Sequence, residues 1–145
     1  MKQESRYTSR SAAQTVRIGK KIASALQPGN NLFLYGQLGA GKTVLVKGIA
    51  QGLHIKAAIT SPTFTVINQY DGRYRLFHID LYRVKGSDID GLGLDEYFFG
   101  NGIAAVEWAE RLTDRMYENV WHIHINSSGL NKRIINVTKP AIACH

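Results

Sequence analysis

The chain has 145 residues, enough for one compact domain that buries roughly two-thirds of its unfolded surface. Its apolar fraction of 44% and charged fraction of 20% are those of a globular protein, and no run approaches the roughly 18 apolar residues that span a membrane. Eighteen basic residues against 11 acidic ones give a net charge of +7, which favours nucleotides, RNA or acidic protein faces without choosing among them.

No apolar stretch of the secretory kind follows the first six residues, Met-Lys-Gln-Glu-Ser-Arg. Residues 9–26 read as an amphipathic helix. Val16, Ile18, Ile22, Ala25 and Leu26 recur near helical spacing, while Arg17, Lys20 and Lys21 take the other side, and Pro28-Gly29-Asn30 ends it. Leu32-Phe33-Leu34-Tyr35 is a continuous apolar run, the mark of a strand buried on both faces of a parallel sheet. A glycine-rich loop and a helix over residues 42–53 follow, with Leu45, Ile49 and Leu53 on one stripe.

Residues 63–70 and 73–83 are rich in β-branched and aromatic types around Asp71-Gly72, a strong hairpin signal. Residues 86–100 read as loop and short helix anchored by Leu92, Leu94, Tyr97 and Phe98. Residues 103–107 look like another buried strand, and 108–117 a short, poorly defined helix. A second β-pair over residues 120–126 and 132–138 surrounds Ser127-Ser128-Gly129-Leu130. The single cysteine, Cys144, can form no intramolecular disulfide, which suits a reducing, cytoplasmic setting. The expectation is an α/β fold: one domain over residues 1–145, with an ordered core at about 9–138 and a mixed β-sheet flanked by helices, the glycine-rich loop of residues 36–43, Gly-Gln-Leu-Gly-Ala-Gly-Lys-Thr, marking it as P-loop NTPase-type.

The segment Gly36-Gln37-Leu38-Gly39-Ala40-Gly41-Lys42-Thr43 satisfies G-x-x-x-x-G-K-[ST] at every fixed position. Residue usage alone gives such a match in well under about one in a hundred chains of this length. Glycines at 36, 39 and 41 let the backbone, through Leu38 and Ala40 as well, wrap a phosphate with its N–H groups pointing inward. The following helix adds its unpaired amides and positive dipole end. Lys42 is placed to reach the β- and γ-phosphates, and the Thr43 hydroxyl to take one Mg²⁺ position.

P-loop enzymes carry an acid at the end of a second buried strand, and Ile103-Ala104-Ala105-Val106-Glu107 fits. Glu107 is the candidate Mg²⁺-side carboxylate. Asp80 is the other acid: His78, Asp80 and Tyr82 alternate with Phe77, Ile79 and Leu81, and its bland role would be a surface ion pair with Arg83 or Arg75. His122 and His124 alternate with Ile123 and Ile125 as on a half-exposed strand. Trp108, beside Glu107, lies near any nucleotide held there. Lys132 and Arg133 read first as a solvated hairpin edge, with Arg133 kept among the candidate nucleotide contacts.

With those residues in hand the chain resembles the bacterial TsaE (YjeE) family over about residues 11–137. The marks are Thr15-Val16-Arg17-Ile18-Gly19, the Leu34 to Thr43 stretch, Ser61-Pro62-Thr63-Phe64-Thr65, His78-Ile79-Asp80-Leu81-Tyr82-Arg83 and Val106-Glu107-Trp108-Ala109-Glu110. The ordered set is far more specific than the P-loop alone. The resemblance implies an ATPase that takes part in making threonylcarbamoyl-adenosine in tRNA. Thr43 and Glu107 would be its Mg²⁺ ligands, Lys42 its phosphate lysine and Asp80 an acid needed for hydrolysis. Residues 61–65, with Thr63, would form a switch-like loop near the γ-phosphate, and Trp108 would be the nucleotide-side tryptophan. It further implies TsaB and TsaD as partners, with TsaC making the activated intermediate and tRNA reached, if at all, through the complex. One departure is Gln37, where the family usually has Asp; that side chain is not one the cradle uses.

Two other readings compete. A small-molecule or nucleoside kinase would need an acceptor pocket and an arginine-bearing lid, where only Glu110, Arg111, Asp114 and Arg115 stand. A module that holds ATP without hydrolysing it, such as a tRNA-binding accessory subunit, is permitted by the charge but lacks an aromatic-basic stacking motif.

Overall fold

A computed structural model describes residues 3–112, 117 and 119–140. Asp114, Arg115 and Cys144 lie outside them, as does part of the helix expected over 108–117. The chain runs β1 (Gln3–Ser9), α1 (Ala12–Ala23), β2 (Asn31–Tyr35), α2 (Lys42–Gly52), β3 (Ile67–Tyr70), β4 (Leu76–Asp80), a 3₁₀ helix (Gly86–Leu92), α3 (Asp95–Phe98), β5 (Ile103–Glu107), a second 3₁₀ turn (Ala109–Leu112), β6 (Val120–Ser127) and β7 (Arg133–Lys139). Among the described residues, seven strands make one mixed sheet in the order β1-β7-β6-β2-β5-β4-β3. The expected α/β architecture, a mixed sheet flanked by helices, is what the chain builds.

The centre is parallel, with β2 between β5 and β6 and β4 beyond β5; the flanks, β3 on β4 and β7 on β6, are antiparallel. Sequence pattern explains the division. Leu32, Phe33 and Leu34 and every residue of β4 and β5 are buried, as strands covered on both faces require. In β6 the buried Trp121, Ile123 and Ile125 alternate with His122, His124 and Asn126, so one face is left to solvent. One cluster, with Leu45 and Ile49 of α2, its C-cap Leu53 and Ile22 of α1, covers one face; Phe77, Ile79, Phe98 and Val106 build the other.

Three expectations change. The sheet begins at Gln3, ahead of the ordered core expected from about residue 9, because β1 pairs antiparallel with β7 from Gln3↔Lys139 to Ser9↔Arg133. Helix α1 therefore starts later, at Ala12, where Ser11 caps it by accepting from the Gln14 N–H at 3.1 Å. The hairpin around Asp71-Gly72 forms, but its first arm is only Ile67–Tyr70. Residues 63–66 turn instead, with Val66 at φ 69° and its N–H donating to the Pro62 carbonyl at 2.7 Å.

Helices α1 and α2 touch through glycines. A Cβ on Gly48 would lie 2.2 Å from the Val16 carbonyl oxygen, and one on Gly19 would lie 2.6 Å from that of Leu45. Backbone cannot yield as a side-chain tip can, and α2 carries the glycine-rich loop at its N-terminus. Gly48→Ala should therefore destabilise the chain by about 1–3 kcal/mol in urea unfolding. Gly91→Ala, where an added Cβ meets nothing within 4 Å, is the control and should stay within about 0.5 kcal/mol. Equal midpoints for the two variants would contradict this packing.

Candidate functional site

The cradle lies at the β2–α2 junction. Gly39 and Gly41 adopt φ 79° and 106°, values that β-carbon-bearing residues resist, and Gly41 opens α2 as its N-cap. Gly36 is tight for another reason: a Cβ there would lie 2.6 Å from the Ile125 carbonyl oxygen. A cleft of about 760 Å³ opens beside the loop, lined by residues 38–44 together with Ser61, Thr63, Phe64, Asp80, Tyr82, Arg83, Glu107 and Trp108. Every candidate nucleotide, metal and catalytic residue except Gly36 and Arg133 lines it.

Sheet register brings the acids together. Asp80 and Glu107 end adjacent parallel strands as Cα partners. The Thr43 hydroxyl donates to Glu107 Oε1 at 3.1 Å and Oε2 at 2.9 Å. Asp80 accepts from the Thr63 hydroxyl at 3.2 Å and from the Tyr82 N–H at 2.8 Å. Among the described residues it makes no surface ion pair: Arg75 bonds Asp71 at 3.0 Å, and Arg83 lies over the Phe64 ring at 4.4 Å. The switch-like segment is tied to this acid, since Ser61 Oγ meets Thr63 Oγ1 at 2.6 Å and the Asp80 N–H donates to the Val66 carbonyl at 2.8 Å.

Lys42 is 5% exposed. Its ammonium donates to the Gly36 carbonyl and stands 3.7 Å from the Trp108 ring centroid. Trp108 holds φ 57° and tilts against Tyr82 at 4.8 Å. Burial lowers the Lys42 pKa, although Glu107, Glu110 and Asp80 favour its charge. Burial likewise raises the Asp80 pKa, and the Glu107 charge adds to the rise; the two hydrogen bonds and His78 oppose it. Tyr35, ahead of the cradle, is pushed up to about 12 by burial and the charge of Glu110.

Arg133 corrects the solvated-edge reading. Its guanidinium donates to the Ala40 carbonyl at 3.0 Å and the Gly39 carbonyl at 3.5 Å, bracing the loop from behind rather than facing the cleft. Trp121 is buried in β6 under Lys139, outside the cleft lining. His78, which the strand alternation puts on the Asp80 face with no role of its own, has its Nε2 2.5 Å from Glu107 Oε2. Among the described residues no helix is long and apolar enough to cross a membrane.

A glycine cradle between a buried parallel strand and a helix, faced by a lysine and an acid from the neighbouring strand, defines a P-loop NTPase-type protein. The family model described as "Threonylcarbamoyl adenosine biosynthesis protein TsaE" matches residues 9–135. The "tRNA threonylcarbamoyladenosine biosynthesis protein TsaE" of Bacillus subtilis is 44% identical over 126 residues, covering 86% of this chain and 79% of that protein. Its namesake in Treponema pallidum is 43% identical over 78% of this chain and 84% of that protein, and in Aquifex aeolicus 39% identical over 88% and 90%. The crystal structure of Bacillus subtilis YdiB superposes with a TM-score of 0.83 at 36% identity, covering 97% of this chain and 88% of that one. The chain belongs to the TsaE family.

The raised Asp80 pKa gives a stability test. The native state holds the Asp80 proton more tightly than the unfolded chain, whose aspartates titrate near 3.9. That contribution is present below the unfolded pKa and is lost as pH rises through the higher native one. Asp80→Asn does not titrate, so its stability relative to wild type should increase from pH 4 to pH 8 in thermal melts. An advantage that shrinks over that range would contradict the burial of a strained carboxylate.

Proposed function

We propose that this protein binds ATP with Mg²⁺ at the cradle and hydrolyses it, and that this ATP cycle serves the threonylcarbamoyladenosine modification of tRNA. The observation that carries the reading is the convergence of Lys42, Thr43 and Glu107 on one cleft, with Asp80 beside them. The donor set fits the cation, since a threonine hydroxyl and a carboxylate are hard oxygen ligands, and Mg²⁺ suits one or two such groups. Mg²⁺ bound there supplies charge neutralisation for the phosphates.

The remaining work belongs to the chain. Lys42 exchanges the Gly36 carbonyl and the Trp108 face for the β- and γ-phosphates, while the Gly39 and Gly41 backbone turns its amides toward them. Thr43 and Glu107 hold the cation. Asp80, aimed by Thr63 and the Tyr82 N–H, orients the attacking water. Phe64, 82% exposed, and Leu38, 74% exposed, rim an open cleft, so little within the chain closes over the reaction. Turnover alone is therefore slow, and a partner completes the site. The family resemblance points to TsaB and TsaD as those partners, with tRNA met through their assembly.

Lys42→Ala should lose at least about tenfold in ATP affinity, equivalent to 1.4 kcal/mol, in calorimetric titration. Glu107→Ala and Asp80→Ala should keep appreciable binding while hydrolysis collapses, and TsaB with TsaD should accelerate the wild type. Unchanged affinity in folded Lys42→Ala would sink the cradle assignment; wild-type hydrolysis by Asp80→Ala would reduce that acid to a structural one.

A further inference from the structure

His78 is fully buried in the middle of β4, two residues before Asp80 and on the same face. Its backbone partner on β5 is Ala105, yet its ring reaches along the strand so that Nε2 lies 2.5 Å from Glu107 Oε2. The other ring nitrogen, Nδ1, is buried and has no hydrogen-bond partner among the described residues. An imidazole whose one polar neighbour is a carboxylate oxygen keeps a proton on the nitrogen facing it, so Nε2–H donates to Glu107. The unpartnered Nδ1 is a cost that an apolar side chain would avoid on a strand otherwise built of Leu76, Phe77 and Ile79. Such a local violation in a packed core marks a residue kept for the site rather than for stability.

The two oxygens of Glu107 are not equivalent. Among the described residues, Oε2 accepts from both His78 and Thr43, whereas Oε1 accepts from Thr43 alone. We infer that His78 is the positioning residue of the cation site: it anchors Oε2 from the core and so keeps Oε1 turned toward Thr43. This rests on the reading of Thr43 and Glu107 as the cation pair. Once the Thr43 hydroxyl turns to a cation it stops donating to Glu107, and His78 is the donor the carboxylate retains. Outer partners of this kind typically change metal affinity by about 10–100-fold when removed.

Three variants of the full chain separate positioning from packing. The amide nitrogen of Gln stands about where Nε2 stands and can still donate to Glu107; that of Asn stands near Nδ1 and falls short; Leu fills space alone. The probe is Mn²⁺, titrated against protein with saturating ADP and followed by electron paramagnetic resonance, while ADP affinity in EDTA is measured by calorimetry. His78→Leu and His78→Asn should bind Mn²⁺ at least about tenfold more weakly, with metal-free ADP affinity within about twofold of wild type. His78→Gln should recover Mn²⁺ binding to within about threefold. Should His78→Leu not fold, the Asn and Gln pair decides the matter alone. Wild-type Mn²⁺ affinity in His78→Asn, or no recovery in a folded His78→Gln, would overturn the positioning role and leave the cation pair intact. A wild-type protein that binds no Mn²⁺ with ADP would instead overturn the cation pair, and the role of His78 with it.

Discussion

A lysine ammonium buried at the start of α2 is the constraint around which the site is arranged. Burying a cation is costly unless something compensates, and among the described residues no carboxylate lies within ion-pair distance of Lys42. Its compensation is the Gly36 carbonyl and the face of Trp108, with the charges of Glu107, Glu110 and Asp80 acting from further off. The carbonyl contact needs the tight Gly36 turn, and the ring contact needs Trp108 in its left-handed backbone conformation. Of the two, Trp108 carries a backbone strain, its positive φ, beside the buried charge.

The sheet supplies what the loop cannot. Parallel pairing of β4 with β5 sets Asp80 beside Glu107, and parallel pairing of β5 with β2 carries Glu107 to the Thr43 hydroxyl. The glycine contact between α1 and α2 fixes the helix that bears Lys42 and Thr43. Two carboxylates, one lysine and one hydroxyl thus converge from three elements, each seated in the core within a few residues. Thr63, Asp80, Glu107, Lys42 and Thr43 all line one cleft, with the side chains of Ser61 and Phe64 exposed at its edge.

What the sequence shows of this depends on how local each feature is. The cradle is consecutive, so residues 36–43 declare it outright. Glu107 follows four apolar residues, and Asp80 interrupts an apolar alternation, both readable from period and strand ends. Strand β1 escapes because Gln3–Ser9 is polar, half exposed and held by a partner some 130 residues away, which no local period records. Residues 63–66 have strand composition, but Pro62 and the positive φ of Val66 turn the chain toward Asp80. Arg133 and His78 reveal their contacts only through strand register, one bracing carbonyls of the cradle and the other reaching Glu107.

Lys42 should leave the Trp108 face when a nucleotide enters the cradle. The chain has two tryptophans, and in a Trp121→Phe variant Trp108 alone reports. Titration of that variant with ATP and Mg²⁺ should give a saturable change in tryptophan emission at one equivalent of nucleotide. Unchanged emission at ATP concentrations where calorimetry shows the site filled would mean that the ammonium stays on the ring, and would contradict the account.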